Sequence, residues 1–232
     1  MKPRYSLKTD QALTRIEAVV VVFVIGFMTL LALPAILHPA RNGAQRINCV
    51  NNLKQVGLAA RVWSGDNVGN FPMAVSVTNG GSRELMESSG GWATFQVMSN
   101  ELGAAKIVAC PQDRRHSAAG NFTDFTSNNV SYFVDYDADV NNPQTILAGD
   151  DNFEINGVRI KSGLSNIASN SAMAWDSSRH AADDQRHFWI LAPHPLWGNI
   201  CLADGSVQSV ADSNLLKLFN QTGLATNRLA IP

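Results

Sequence analysis

Apolar and polar positions divide this chain into two regimes. From Ala18 to Leu37 no charged residue interrupts a run of mostly apolar side chains, long enough to cross a bilayer as one helix. Beyond Pro39 the pattern becomes one-sided. Ile47, Val50, Leu53, Val56, Ala60 and Trp63 recur at three- and four-residue intervals, with Asn48, Asn51, Asn52, Lys54 and Gln55 between them. That spacing predicts an amphipathic helix ending at the turn-rich SGDNVGNFP. Together the two stretches predict one helical rod over residues 13–64, ~75 Å long at 1.5 Å per residue. Pro34 removes a backbone donor and is expected to kink or loosen it, and Gly26 lowers its helix propensity.

After Pro72 the elements shorten. GGWATFQVMSNELG predicts a helix stopped by Gly103. KIVAC, NVSYFVDY and QTILAG predict strands from their β-branched and aromatic content, followed by SAMAWD and HFWILAP. GNICLADGSVQSV predicts a hairpin turning at Asp204-Gly205 in a two-residue type I′ turn. That register sets Leu202 opposite Val207 and Ile200 opposite Ser209, with Cys201 opposite Gln208 on the less apolar face. DSNLLKLFNQTG predicts a closing helix with Asp212 or Ser213 as N-cap and Gly223 beyond its end. Strands and helices do not alternate strictly, so the head reads as α+β.

Composition changes this picture little: 45% of residues are hydrophobic and 16% charged, near the globular average. The net charge of −1 offers no basic excess for nucleic acid. Lys2, Arg4, Lys8 and Arg15 precede the apolar run, against Arg41 and Arg46 after it, which favours an amino terminus inside and a head outside. A conventional secretory signal has a shorter apolar core than this. The outer compartment is oxidising, and the three cysteines, Cys49, Cys110 and Cys201, leave at least one unpaired within the chain. Glu17 stands directly before the apolar run, where a carboxylate demands a partner.

The stretch ALTRIEAVVVVFVIGFMTLLALP resembles the amino-terminal methylation segment of type IV prepilins and type II secretion pseudopilins. In that family a membrane-embedded peptidase cuts after a small residue and methylates the new amino terminus. The resemblance implies a leader of residues 1–12, cleavage between Ala12 and Leu13, and assembly residues Thr14, Glu17, Gly26 and Pro34. It implies that Glu17 pairs with the α-amino group of a neighbouring subunit when helices bundle into a filament. The chain departs from the family at Ala12, usually Gly, at Leu13, usually Phe or Met, and at Arg15, usually apolar. Two further stretches resemble a subgroup of these proteins: CVNNLKQVGLAARVW after the membrane run, and HPLWGNICLADG. The latter is a signature of His194, nine residues, then Asp204 and Gly205.

The implied fold is pilin-like: a long amino-terminal helix packed on a small antiparallel-sheet head, residues 65–232, with a carboxy-terminal hairpin and helix. The implied function is a structural subunit of a type II secretion pseudopilus or type IV pilus-like filament, not an enzyme. The implied partners are itself or other pseudopilins, the prepilin peptidase, the secretion or pilus assembly platform and the bacterial inner membrane. The alternative is a membrane-anchored extracytoplasmic binding protein or enzyme that uses a prepilin-type leader.

Other constellations carry less. His194 and Asp204 are separated by a strand, so the bland reading is a packed histidine and a turn aspartate rather than a catalytic pair. His180, Asp183, Asp184 and His187 share helical spacing but lack a third histidine, which fits a solvated face better than a metal site. Asp135, Asp137 and Asp139 form an acidic run that suggests calcium, yet without the Gly and Glu of an EF-hand loop. No phosphate loop or zinc-protease motif is present. Finally, Cys49 and Cys110 are the expected disulfide, tying helix to head and leaving Cys201 over.

Overall fold

The structure is a computed structural model that describes residues 14–176 and 197–232, leaving aside the side chains of residues 34–43. The leader, Ala12, Leu13, the HFWILAP stretch, His194 and the His180–Asp183–Asp184–His187 group lie outside the described residues. Helix α1 spans Arg15–Asp66, through Pro34 and two residues beyond the expected end at Ser64. The chain divides into two compact units at Gly43/Ala44, inside α1, so the amphipathic half of the helix belongs with the head.

In the first unit every side chain from Arg15 to Leu33 is exposed. The second unit is α+β. After α1 come the helices α2 (Arg83–Ser89), α3 (Trp92–Val97) and α4 (Ser99–Leu102). The GGWATFQVMSNELG stretch is thus two short helices rather than one. They part at Met98, whose φ of −88° and ψ of 21° leave the helical region, while Gly103 stops the second in a left-handed conformation. KIVAC is not a strand. Ala105–Val108 forms a 3-10 turn with Ala105, Ile107 and Val108 all buried, because a short apolar run suits any fully covered element equally well.

Nine strands follow among the described residues: β1 (Tyr132–Asp135), β2 (Ile146–Asp150), β3 (Phe153–Ile155), β4 (Val158–Arg159), β5 (Gly163–Ala168), β6 (Met173–Trp175), β7 (Trp197–Leu202), β8 (Val207–Ala211) and β9 (Thr226–Ile231). They build an antiparallel six-stranded sheet ordered β5-β9-β1-β2-β7-β8 and a three-stranded sheet ordered β4-β3-β6. Between β8 and β9 lies helix α5 (Asp212–Gln221). Its N-cap is Ala211, not Asp212 or Ser213; the Asp212 carboxylate instead accepts the Trp175 backbone N–H at 2.7 Å.

The large sheet is covered on both faces, and the period-two alternation of strands decides which core each residue enters. Tyr132, Val134, Ala148, Cys201 and Ala230 join a core with Cys49, Leu53, Val56, Ala60 and Trp63 of α1. Phe133, Ile200 and Leu229 face the opposite core with Phe153 and Trp175 of the small sheet and Leu215 and Phe219 of α5. The head is therefore three layers deep, with α1 as one outer layer.

The β7–β8 hairpin is one residue out of the expected register. Cys201 pairs with Val207 and Ile200 with Gln208. The Gly205 N–H bonds the Leu202 carbonyl at 2.9 Å and the Leu202 N–H bonds that of Ser206 at 2.9 Å, enclosing a three-residue loop. Only Gly205 takes positive φ, +84°, whereas a type I′ turn needs two such residues. A one-residue slip reverses the faces. Cys201, expected on the less apolar side, is fully buried beneath α1.

Candidate functional site

Two features of α1 invite a functional reading: its exposed apolar first half, and the seam that binds its second half into the head. At the first, Thr14 and Glu17 form a capping box. The Thr14 backbone N–H and hydroxyl both donate to Glu17 Oε2 at 2.8 Å, and the Glu17 N–H reaches back to the Thr14 hydroxyl at 3.4 Å. Thr14 and Glu17 are thus brought together, and in a single chain Thr14 serves the carboxylate. Gly26 lies mid-run; its carbonyl accepts the Thr29 hydroxyl at 2.8 Å. Arg15–Leu33 is long and apolar enough to cross a membrane. Burying a large apolar side chain is worth about 2 kcal/mol, so the uncovered run represents on the order of 20 kcal/mol awaiting an apolar environment.

The seam runs the length of α1 from Arg46 to Arg61. Cys49 and Cys110 are joined by a disulfide, with Cα atoms 5.0 Å apart. Beside it the Asn52 side-chain amide donates to the Ala109 carbonyl at 3.1 Å and the Tyr132 hydroxyl donates to the Cys49 carbonyl at 3.4 Å. Further along, Gly57 meets the hairpin so closely that a Cβ there would stand 2.8 Å from Cys201 Sγ and 3.1 Å from the Gly205 backbone. One turn on, the Arg61 guanidinium donates to the Ala203 carbonyl at 3.1 Å. The Asp204 carboxylate accepts the Ser206 N–H at 2.8 Å; hydrogen bonding from the Ser206 side chain first, then from that N–H, and the positive Arg61 hold it below the usual carboxylate range. Asp204 and Gly205 therefore shape the loop on which α1 rests. Burial, aided by the charge of Asp204, pushes the Cys201 thiol up to about 12, so it stays protonated.

At the Cys110 end lies a polar cluster that sequence reading missed. Asp113, His116 and Asp151 place a ligand atom each within 4.8 Å of one another. A cation already sits among them: the Arg115 guanidinium bonds Asp113 at 3.1 Å and Asp151 at 2.6 Å, and His116 Nδ1 lies 2.7 Å from Asp113. Burial works against the charged Asp113, but the His116 and Arg115 hydrogen bonds hold its carboxyl well below the usual range. The local run QDRRH could have flagged three members; Asp151 is distant in sequence and carried no signal.

Nearby, Asp150 is fully buried. Its Oδ2 accepts the backbone and side-chain N–H groups of Asn199 at 2.7 and 2.9 Å, while Oδ1 has no hydrogen-bond partner. Burial, outweighing those bonds, pushes its pKa up to about 7. The acidic run suggested for calcium is not gathered around a point. Asp137 is engaged by Arg228, Asp139 accepts the Asn141 N–H at 2.9 Å, and Asp135 is buried in the sheet with its pKa raised by desolvation. Comparison of the chain with protein-family models, curated proteins and solved structures finds no match.

Proposed function

We propose that this protein is a structural subunit of a type II secretion pseudopilus or type IV pilus-like filament. A prepilin peptidase cuts between Ala12 and Leu13. Residues 18–37 then hold the chain in the bacterial inner membrane with its amino terminus cytoplasmic and its head extracytoplasmic. Copies of this chain, or other pseudopilins, assemble through these helices on the secretion or pilus platform.

One observation carries the reading: Glu17 stands in the first turn of a helix whose side chains from Arg15 to Leu33 are all exposed. A lone anchor has no need of a carboxylate there. In a bundle of such helices an unpaired carboxylate costs several kcal/mol, and the fixed ammonium of a neighbouring amino terminus offsets much of that. The pairing also sets the register of one helix against the next. Within the single chain Thr14 holds the carboxylate near the new amino terminus, ready for exchange of partners.

The test joins mass spectrometry of the amino terminus to imaging of filaments. A mature chain beginning with methylated Leu13, and loss of filaments with insertion intact in Glu17→Ala, are the expected results. Retention of Met1, or a Glu17→Ala variant that assembles at wild-type levels, overturns the reading and leaves an anchored binding protein or enzyme.

A further inference from the structure

The polar cluster at the Cys110 end of the seam gathers positive charge in two places. Asp113 is tied to the disulfide by its N–H, which bonds the Cys110 carbonyl at 2.9 Å. Its Oδ1 accepts the Arg115 backbone N–H at 2.9 Å, which fixes the carboxylate and leaves Oδ2 to the other members. His116 Nδ1 stands 2.7 Å from that Oδ2, a distance at which the two share a proton. The Arg115 guanidinium bridges the same Oδ2 and Asp151 Oδ1. Both carboxylate side chains are only 3% exposed, and carboxylates so buried need a cation beside them.

One dication set between the three side chains serves both places at once. Zinc held at roughly 2.0–2.2 Å by oxygen and nitrogen sets its ligand atoms roughly 3.3 Å apart. The ligand atoms of Asp113, His116 and Asp151 already lie within 4.8 Å of one another. Two carboxylates with an imidazole suit a first-row divalent ion better than a hard ion that takes oxygen alone. The Arg115 side chain is 33% exposed, so its guanidinium can withdraw into water as an ion enters. A second observation lies beside the cluster. Asp150 is fully buried and its Oδ1 has no hydrogen-bond partner. Its Oδ2 is taken by Asn199 of β7, so Oδ1 turns toward the β1 side of β2. There the Ser131 N–H bonds the Val108 carbonyl at 2.9 Å and brings the segment carrying Asp113 against the sheet. The charges of Asp113 and Asp151 both act on Asp150. The buried Ser131 hydroxyl, on the residue whose carbonyl accepts the Asp151 N–H, also lacks a partner. Orphaned oxygens beside converging ligands are explained by a bound ion or its water.

We propose that Asp113, His116 and Asp151 bind one divalent transition-metal ion of the zinc type, and that Arg115 holds their place in its absence. The ion ties the loop after Cys110 to the end of β2, and so fastens the same side of the head as the disulfide. The site lies wholly within the unit that begins at Ala44 and stands whether or not the chain joins a filament.

The experiment uses the full chain in detergent micelles, freed of metal with a chelator and titrated calorimetrically with zinc chloride. One equivalent is expected to bind. His116→Gln should weaken that binding by about tenfold or more, the scale on which metal sites respond to loss of a supporting group. Arg115→Ala should strengthen it about tenfold, because a charge-assisted competitor for both carboxylates is gone. In the unmutated chain cobalt(II) should shift the resonances of His116 before those of the other histidines, a reading that needs no variant to fold. Absence of binding by the wild-type chain, binding undiminished in His116→Gln, affinity not raised by Arg115→Ala, or cobalt shifts that leave His116 unmoved would each overturn the site.

Discussion

The two halves of helix α1 share a backbone and almost nothing else. Every side chain from Arg15 to Leu33 is exposed. From Cys49 to Trp63 the helix buries a residue every three or four positions and is bonded to the head by a disulfide and side-chain hydrogen bonds. The first half is written for an environment outside the chain; the second is written for the chain's own sheet. A helix needs no tertiary partner to satisfy its backbone, so one element can serve two solvents, and the side chains alone decide where each half rests.

The sharpest way to break this contrast is at the disulfide. Cys49 and Cys110 lie 61 residues apart, and closing a loop of that length stabilises by about 4 kcal/mol in the chain-entropy model. Cys49→Ser with Cys110→Ser should lower the head's unfolding free energy by that order in a denaturant titration. Helicity and insertion of the first half should not change. If the double variant unfolds at the wild-type midpoint, the seam is held by packing alone.

Second in size is a pH effect at Asp150. Its folded pKa, about 7, exceeds the ordinary carboxylate value near 4, so the folded state binds the proton more tightly than the unfolded state. Stability from this group is complete below about pH 4 and is lost as pH rises toward 7, by a few kcal/mol on an order-of-magnitude scale. Asp150→Asn should flatten that slope, because its side-chain oxygen still accepts the Asn199 N–H. Urea titrations at several pH values measure it, and an unchanged slope in the variant would show that the carboxyl is not the source.

Third, Gly57→Ala pushes a methyl into Cys201 and the Gly205 backbone. Overpacking of this kind costs typically 1–3 kcal/mol. Only the sulfur can shift readily, so Cys201→Ala should recover part of the loss in the double variant. A Gly57→Ala head as stable as wild type would mean that helix and hairpin are not in contact there.

The same contrast governs what could be read without coordinates. Helix α1 was legible because an uncharged run and a three-four repeat are both long signals. The cysteine pair was legible because an oxidising compartment and a count of three limit the choices; that Cys49 lies on the buried face of α1, while Ile47 of the expected repeat is exposed, needed the structure. Strand β9, TNRLAI, was not read, although it pairs with β1 and β5; it is short and begins polar, and only its neighbours make it a strand. The hairpin slipped by one residue because Asp-Gly suits a two-residue turn and also the end of a three-residue loop. What separates them is which residue pairs with Leu202, a choice made by the packing of Cys201 under Gly57. The Asp113–Arg115–His116–Asp151 cluster needed a contact between a loop and the end of β2, which no local pattern encodes.

The smallest expected effect sharpens the comparison from the other end. Thr14 caps α1 through its hydroxyl and receives Glu17 in return. Thr14→Ala removes the hydroxyl and should weaken the first turn by about 1 kcal/mol, while Thr14→Ser keeps the cap. Amide exchange at Ile16, Glu17 and Ala18 in membrane-mimetic solution reads this directly. The head's melting temperature should stay unchanged, because the cap belongs to the unit that ends at Gly43 and the cooperative core begins at Ala44. A shift in head melting would mean that the two halves of α1 are energetically coupled across Gly43. Faster exchange confined to the first turn would leave them independent.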